Sequence, residues 1–239
     1  PPGVELVAWF EASLDALLAE LRERGPEAPA YTWWPGDQTV GFWFRRMAQE
    51  SAVHRLDVED GRGTPTPIDP ELAVDGVDEV LELFLADDWA TLDPKEWEGV
   101  DPHAGAGGTV AVRTGGQVWR STLGPDTIPL ARGDGPADAA VTGQPEAVLL
   151  WLWGRRPDGA VALDGDPAVL ARCRRLRRLA ADPPHHAGGA SGRSMPRQPG
   201  RRRGRRHTGR PAPHAADDRV VRECLAGDAE ARDQYKRGR

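Results

Sequence analysis

The spacing of apolar residues changes once along the chain, and this change limits the folds that the chain can adopt. Up to about residue 90, apolar residues recur every three or four positions, which is typical of amphipathic helices. After Gly108 they alternate with polar residues in short runs such as TVAVRT and QVWRSTL, which is typical of half-buried strands. Helices followed by a mixture of strands and helices predict an α+β protein.

The first part of the chain is predicted to contain three helices. The third is introduced by the sequence DPE at residue 69, which combines an N-cap residue, a proline at the first helical position and an acidic first turn. We assign these helices to one helical domain, residues 1–92. The predicted helices are residues 4–23, residues 39 to about 57, and residues 70–86.

The second part, residues 105–181, is predicted to be a small α+β domain. Gly115-Gly116 separates two alternating runs and predicts a hairpin, and ADAAVTG is a further strand. A helix then begins at Pro145, AVALDG forms another strand, and Asp166-Pro167 opens a last helix that ends near Leu179. The predicted order is therefore three strands, a helix, a strand and a helix.

The last part of the chain has a different composition. Residues 183–239 contain 14 Arg or Lys against 6 Asp or Glu, although the chain as a whole has a net charge of −6. With few apolar residues, this segment is predicted to be a disordered, low-complexity basic tail. Its RRRGRR run could bind nucleic acid through non-specific, salt-sensitive contacts. The alternative is a solvated tail without a function.

Several classes of protein are excluded. No apolar run is long enough to span a membrane, and two cysteines 51 positions apart form neither a disulfide framework nor a thiolate metal site. The beginning of the sequence does not look like a signal peptide, so we expect a cytoplasmic protein. We find no hydrolase motif of the G-x-S-x-G or H-E-x-x-H type and no phosphate-binding glycine loop.

Glu50 and His54 are the main candidates for chemistry. At positions i and i+4 of the second helix, their side chains project from the same face, one turn apart. A carboxylate and an imidazole in this arrangement can share a divalent metal ion, and zinc is the default for such ligands. The alternative is a solvated pair in which Arg46, one turn earlier, neutralises Glu50.

Two parts of the sequence resemble a known family. WWPGDQTVGFWFRRMAQESAVHRLD and PIDPELAVDGVDEVLELFL are similar to the metal-binding, DinB-like helical domain of mycothiol-dependent maleylpyruvate isomerases. GTVAVRT, ADAAVTG and LLWLWGRRP resemble the C-terminal domain of that family, a small α+β module likened to sterol carrier proteins. The resemblance covers residues 4–180 and keeps the order of the segments.

The resemblance implies a metal-dependent function. Glu50 and His54 would be two of three protein ligands of a divalent metal, and mycothiol would be the thiol cosubstrate. A thiolate adding to an activated double bond permits rotation and elimination, so a cis–trans isomerase or thiol transferase acting on a small unsaturated acid is implied.

The sequence departs from the family pattern at one ligand. In the family the third ligand is a histidine on an earlier helix, and no histidine precedes His54 here. We therefore expect the helical domain to be incomplete at its N-terminus. His103 is a possible substitute. The alternative function is a non-catalytic binding or regulatory module, a pseudoenzyme that keeps the fold without a complete metal site.

Arg155, in the run WLWGRRP, is the candidate catalytic residue of the second domain. An arginine at a helix end can hold a substrate carboxylate through two hydrogen bonds. The resemblance implies an anion-binding arginine in this domain, and Arg156 is an alternative equivalent. A purely structural interpretation is that the cation complements the dipole at the helix C-terminus.

Overall fold

The computed structural model describes residues 4–86, 105 and 107–181 of the 239-residue chain. These residues form two compact units, one within residues 4–68 and one within residues 69–181. The first unit is helical and the second combines helices with a sheet, so the predicted α+β class is confirmed. The predicted tail, residues 183–239, lies outside the described residues.

The first unit consists of helices α1 (Val4–Arg24) and α2 (Val40–Arg62). Gly25 and Gly63 follow the two helices with φ angles of 73°, the left-handed conformation that often ends a helix. Helix α2 is longer than predicted, because the polar residues after Asp57 continue the helix to this glycine. Buried apolar residues on one face of α2 hold it in the unit; they include Phe42, Val53 and Leu56.

The loop between these helices is ordered by polar contacts and aromatic packing. The hydroxyl oxygen of Thr32, a buried residue, lies 2.8 Å from the Trp34 carbonyl oxygen and 2.6 Å from the Asp37 carbonyl oxygen, and its single proton is shared between these two acceptors. The ring of Trp33 meets that of Phe42 edge to face at 5.3 Å, so the aromatic loop is anchored on the first turn of α2.

The second unit begins with helix α3 (Pro70–Glu79). The Asp69 carboxylate accepts hydrogen bonds from the Glu71 and Leu72 amides at 2.8 and 3.2 Å, as the predicted N-cap requires. A π-helical segment, Val80–Leu85, continues α3. The helix predicted over residues 70–86 is therefore present, but its second half is π-helical, which the sequence did not predict. The sequence pattern grouped this helix with residues 1–92, whereas in the structure it packs on the helices and sheet of the second unit.

The second unit is built on a five-stranded sheet with the order β3-β2-β1-β4-β5. Strands β1 and β4 are parallel, and the other neighbouring pairs are antiparallel. One face of the sheet is buried, and Val112, Trp119 and Val141 lie in register across it. The strands are Thr109–Thr114, Gln117–Thr122, Leu130–Arg132, Ala139–Thr142 and Ala162–Gly165.

Two helices complete this unit, α4 (Pro145–Leu152) and α5 (Pro167–Ala181). They begin at the prolines from which they were predicted. The predicted element order is wrong by one strand, because β3, which has only three residues, follows β2 and was missed. Strand β3 is too short to show an alternating pattern, and its pairing with β2 defines it.

Candidate functional site

Helix α2 brings Glu50 and His54 together, as their spacing predicted. The Nε2 atom of His54 lies 3.0 Å from Oε2 of Glu50. The side chain of His54 is 63% exposed and that of Glu50 is 39% exposed, so both donors are open to solvent at the edge of the helix. The pair is therefore accessible to a ligand, and its two donor atoms lie within contact distance of each other.

Two further residues extend this pair along α2. The Nδ1 atom of His54 lies 3.1 Å from Oδ2 of Asp57, so the two ring nitrogens face two different carboxylates. The guanidinium of Arg46 donates to Oε1 of Glu50, and Arg46 is 6% exposed. These four polar residues follow one edge of the helix, and we call them the α2 row: Arg46, Glu50, His54 and Asp57.

Asp57 is the residue of this row that the sequence analysis missed. Its position three residues after His54 on a helix was a usable signal, because residues at i and i+3 are neighbours on a helix surface. Metal-binding histidines commonly donate their second ring N–H to a carboxylate, which fixes the tautomer and the orientation of the ring. Asp57 stands where such a carboxylate is needed.

The geometry of the α2 row can be tested against a divalent ion. Zinc binds nitrogen and oxygen at about 2.0–2.2 Å, so two ligands of one tetrahedral ion lie about 3.3–3.6 Å apart. The 3.0 Å distance between Nε2 and Oε2 is shorter than this separation, and a small rotation of either side chain would bring the two atoms to it. Asp57 faces the opposite ring nitrogen and is not a third ligand, and no group of three donors that could hold a metal occurs within the described residues. The row therefore fits two ligands of a metal site, and His103 lies outside the described residues.

Arg155 follows the end of helix α4 in the second unit. Its amide donates a 2.8 Å hydrogen bond to the Leu150 carbonyl, and its guanidinium donates a 3.2 Å hydrogen bond to the Trp153 carbonyl. The side chain is half-buried against the helix C-terminus, as the structural interpretation requires. Arg156 lies beside it and donates 3.1 Å to the Arg155 carbonyl.

The other potentially reactive group is the Cys173 thiol, which is buried in α5. Burial raises its pKa to about 11, although the nearby Arg177 and Arg174 act in the opposite direction. A thiol in this environment remains protonated at neutral pH and is a poor nucleophile. Cys173 is therefore a core residue.

The fold and the site define a class of protein: a helical unit with a half-exposed Glu–His pair, followed by an α+β unit with a five-stranded sheet. The model of the mycothiol maleylpyruvate isomerase N-terminal domain matches residues 1–59, and the model of the C-terminal domain of this family matches residues 71–172. The chain belongs to the mycothiol maleylpyruvate isomerase family. No curated protein matches it.

Solved structures resemble parts of the chain at low identity. The sec-alkylsulfatase Pisa1 from Pseudomonas sp. is 21% identical with a TM-score of 0.28, covering 32% of this chain and 14% of the alkylsulfatase. Sterol carrier protein domain 2 of Helicoverpa armigera is 15% identical with a TM-score of 0.34, covering 44% of this chain and 88% of that one. A ubiquinone synthesis protein, UbiJ-SCP2, is 20% identical with a TM-score of 0.32, covering 50% of this chain and 99% of that one.

None of the described helices is long and apolar enough to cross a membrane. The family membership supports a mycothiol-related, isomerase-type role that acts on a small molecule and a thiol.

Proposed function

We propose that the protein binds a divalent metal ion, with zinc as the default, through Glu50 and His54, and that it activates mycothiol for addition to an unsaturated acid. The observation that carries this proposal is the 3.0 Å approach of His54 Nε2 to Glu50 Oε2. Bound there, the ion would supply a Lewis acid that keeps a thiol in its nucleophilic thiolate form at neutral pH.

The chain's own residues would prepare the donors for this task. In the tautomer with a proton on Nδ1, His54 would donate to Oδ2 of Asp57 at 3.1 Å and keep the lone pair on Nε2 for the ion. Arg46 holds one oxygen of Glu50 and leaves the other directed at His54. Both donors are thus oriented before binding.

Arg155 is proposed to bind the carboxylate of the unsaturated acid. The addition of a thiolate converts the activated double bond into a single bond, and rotation about that bond followed by elimination of the thiolate restores the double bond in the other geometry. The thiol is returned and nothing is oxidised or reduced. Maleylpyruvate is the substrate from which the family takes its name.

The first experiment measures metal binding. Zinc is titrated into the metal-stripped protein by calorimetry, and the metal content of the purified protein is measured by mass spectrometry. We expect about one ion per chain, lost in Glu50→Gln and in His54→Ala, and an affinity about 10–100-fold lower in Asp57→Asn. Ser51→Ala, an exposed position on the same helix, is the matched control and should bind as the parent does.

The outcomes of this titration are distinct. Circular dichroism of each variant shows whether helix α2 is intact. Because the side chain of His54 is 63% exposed, we expect His54→Ala to keep the fold. A parent protein without metal above background, or variants that bind as well as the parent, would refute the metal site.

A second candidate function is a binding or regulatory module without catalysis. Two observations favour it: Arg46 already occupies one oxygen of Glu50, and the described residues supply no third donor. Tight zinc sites use three or four protein ligands. An enzyme should isomerise maleylpyruvate only with both mycothiol and metal, whereas a binding module should show no turnover under any of these conditions.

A further inference from the structure

A short segment between β3 and β4 crosses the hairpin that β1 and β2 form. At one end of the segment, the Gly133 amide donates a 2.8 Å hydrogen bond to the Val118 carbonyl of β2. At the other end, the Asp138 amide donates a 2.9 Å hydrogen bond to the Thr109 carbonyl of β1. Because β3 and β4 lie on opposite sides of this hairpin, the segment has to pass over it. We call residues 133–138 the strap.

Two arginines place the strap over the outer face of the sheet, which lies opposite the buried face. Ala111 of β1 is paired with Arg120 of β2, and Arg113 follows Ala111 by two residues, so both arginine side chains are on the outer face. The guanidinium of Arg113 donates a 3.1 Å hydrogen bond to Oδ1 of Asp134. The Nε atom of Arg120 donates a 3.1 Å hydrogen bond to the Gly133 carbonyl. Both arginines therefore hold the strap on this face.

The charges of these contacts do not balance. Two guanidinium groups meet one carboxylate, that of Asp134, because Arg120 is bonded to a backbone carbonyl. A guanidinium carries five N–H donors, and within the described part of the chain each of the two arginines uses donors of one nitrogen. The side chain of Arg113 is 34% exposed and that of Asp134 is 77% exposed, so solutes can reach the pair. The two arginines therefore have donors for a further anionic group.

We propose that Arg113 and Arg120 form a binding site for a phosphate group, and that the Asp134 carboxylate occupies this site in the absence of the ligand. The two arginines lie on neighbouring strands at diagonal positions, about 7–8 Å apart, so one compact group can contact both guanidiniums. A phosphate ester is close to a dianion at neutral pH and has three strong acceptor oxygens, which suits two cations. Inorganic phosphate and the phosphate ester of a small metabolite offer the same chemistry.

Asp134 acts as an internal competitor for the site. Hydrogen bonds from the Gly135 amide and from Arg113 lower the pKa of Asp134, so its side chain is a carboxylate at neutral pH. Because Asp134 belongs to the same chain, its effective concentration at the arginines is in the millimolar range. A monoanionic ligand would exchange one ion pair for an equivalent one, whereas phosphate would gain a contact with Arg120 as well. A selective ligand must therefore carry more charge than the carboxylate that it displaces.

The strap can leave the outer face without exposing a hydrophobic core. All of its residues are exposed except Gly135, which is half-buried, and none has a large apolar side chain. Displacing the strap therefore exposes little apolar surface. Gly135 lies against Arg120, because a Cβ added to this glycine would be 2.8 Å from the Cζ atom of Arg120. Gly135→Ala should therefore move the strap away from Arg120 and favour the open site.

The test is titration of inorganic phosphate into the full chain at constant ionic strength, with chloride as the balancing anion. Binding is followed through the amide NMR signals of the strap and β1, because these signals report this site and not the basic residues elsewhere. We expect the signals to move to a plateau, and Arg113→Gln and Arg120→Gln each to weaken phosphate binding at least about tenfold. Arg132→Gln removes another arginine of the sheet, one that pairs with Asp78, and is the matched control that should bind as the parent does.

Variants of the strap distinguish a ligand site from a clasp that is purely structural. An exposed ion pair favours the closed form at most about fivefold, so Asp134→Asn should tighten phosphate binding about two- to sixfold. Gly135→Ala should change the affinity in the same direction. A clasp without a ligand predicts no phosphate binding in the parent or in either variant. Circular dichroism confirms that every variant is folded.

The choice of anion identifies the ligand. Tighter binding of glycerol phosphate than of inorganic phosphate would assign an organic phosphate to the site, and the reverse order would assign free phosphate. Acetate at the same concentration should leave the signals of the strap in place. Three results would overturn the proposal: an equal response to acetate and phosphate, no response to phosphate in the parent and in Asp134→Asn, or unchanged binding in Arg113→Gln and Arg120→Gln.

Discussion

Asp78 connects helix α3 to the sheet of the second unit and allows a quantitative test of its packing. Its Oδ1 accepts a 2.6 Å hydrogen bond from the indole N–H of Trp119, a side chain that is 1% exposed. The same carboxylate receives two hydrogen bonds from Arg132, at 2.8 and 2.9 Å. We predict that Asp78→Ala destabilises the second unit.

The magnitude follows from the two partners. Arg132 is half-exposed, so its ion pair contributes about 1 kcal/mol or less. The indole N–H of Trp119 would lose its acceptor in a buried site, which costs about 1–3 kcal/mol. The higher helix propensity of alanine returns about 0.5 kcal/mol. The expected loss is therefore about 2–3 kcal/mol for Asp78→Ala, and about 1 kcal/mol for Asp78→Asn, which keeps an acceptor for the indole.

A double-mutant cycle isolates the contribution of the hydrogen bond between the Trp119 indole and Asp78 to the free energy of unfolding. In a Trp119→Phe background no N–H is left unpaired, so Asp78→Ala should cost about 1 kcal/mol or less. The assay is urea unfolding of the four proteins followed by circular dichroism, with Arg132→Gln as the control for the ion pair. An equal cost of Asp78→Ala in both backgrounds would show that the buried hydrogen bond does not stabilise this unit.

Three further predictions concern single residues. Burial raises the pKa of Cys173 from 9.0 to about 11, so the unfolded chain loses this proton at a lower pH than the folded chain. The free energy of unfolding should therefore fall as the pH rises from 9 towards 11. The peptide that contains Cys173 should also resist labelling by maleimide at pH 8 unless urea is present. Burial acts to raise the pKa of Glu59, but hydrogen bonds from Thr66 and Arg55 hold this pKa below its usual value of 4.5. The loss of stability caused by Glu59→Gln should therefore be largest above pH 4.5 and should vanish as the pH falls below that value. Gly165 has a φ of 90°, and an added Cβ would collide with the backbone of Asp138. Gly165→Ala should therefore lower the free energy of unfolding, measured in urea, by about 3 kcal/mol or more. The control is Gly133→Ala, which should cost about 1 kcal/mol, because φ is 96° there but the space around the added Cβ is open.

The sequence predicted the elements whose patterns are local. The cap at Asp69, the hairpin at Gly115-Gly116 and the prolines that begin α4 and α5 all lie in the structure where the sequence placed them. Each of these signals depends only on residues within one turn, so no knowledge of distant contacts is needed.

The sequence could not reveal what depends on distant contacts. Strand β3 exists because Leu130–Arg132 pairs with β2, and its three residues show no period of their own. Nothing near Asp78 in the sequence indicated that its carboxylate accepts a hydrogen bond from Trp119, 41 positions away. The π-helical turns after Glu79 equally follow from packing in the second unit and not from composition.

The same distinction explains how much of the candidate site was predicted. Glu50 and His54 lie on one helix, so their spacing was enough to bring them together. Asp57 was equally close in sequence, but its role depends on which ring nitrogen of His54 faces Glu50, a matter of side-chain rotamer that no pattern encodes.

A helix can place donors along one edge, whereas a tetrahedral ion needs donors from directions that diverge, so one straight helix cannot complete the site. The α2 row shows which donors a single helix supplies. Arg46 is nearly buried and contacts one oxygen of Glu50, and Asp57 contacts one nitrogen of His54. The two remaining donor atoms lie 3.0 Å apart and would be held in place for the proposed ion. Such preorganisation lowers the cost of binding without adding a ligand. The affinity measured for zinc therefore reports how many donors other than Glu50 and His54 reach the ion, and the same number decides between an enzyme of this family and a module that retains only its fold.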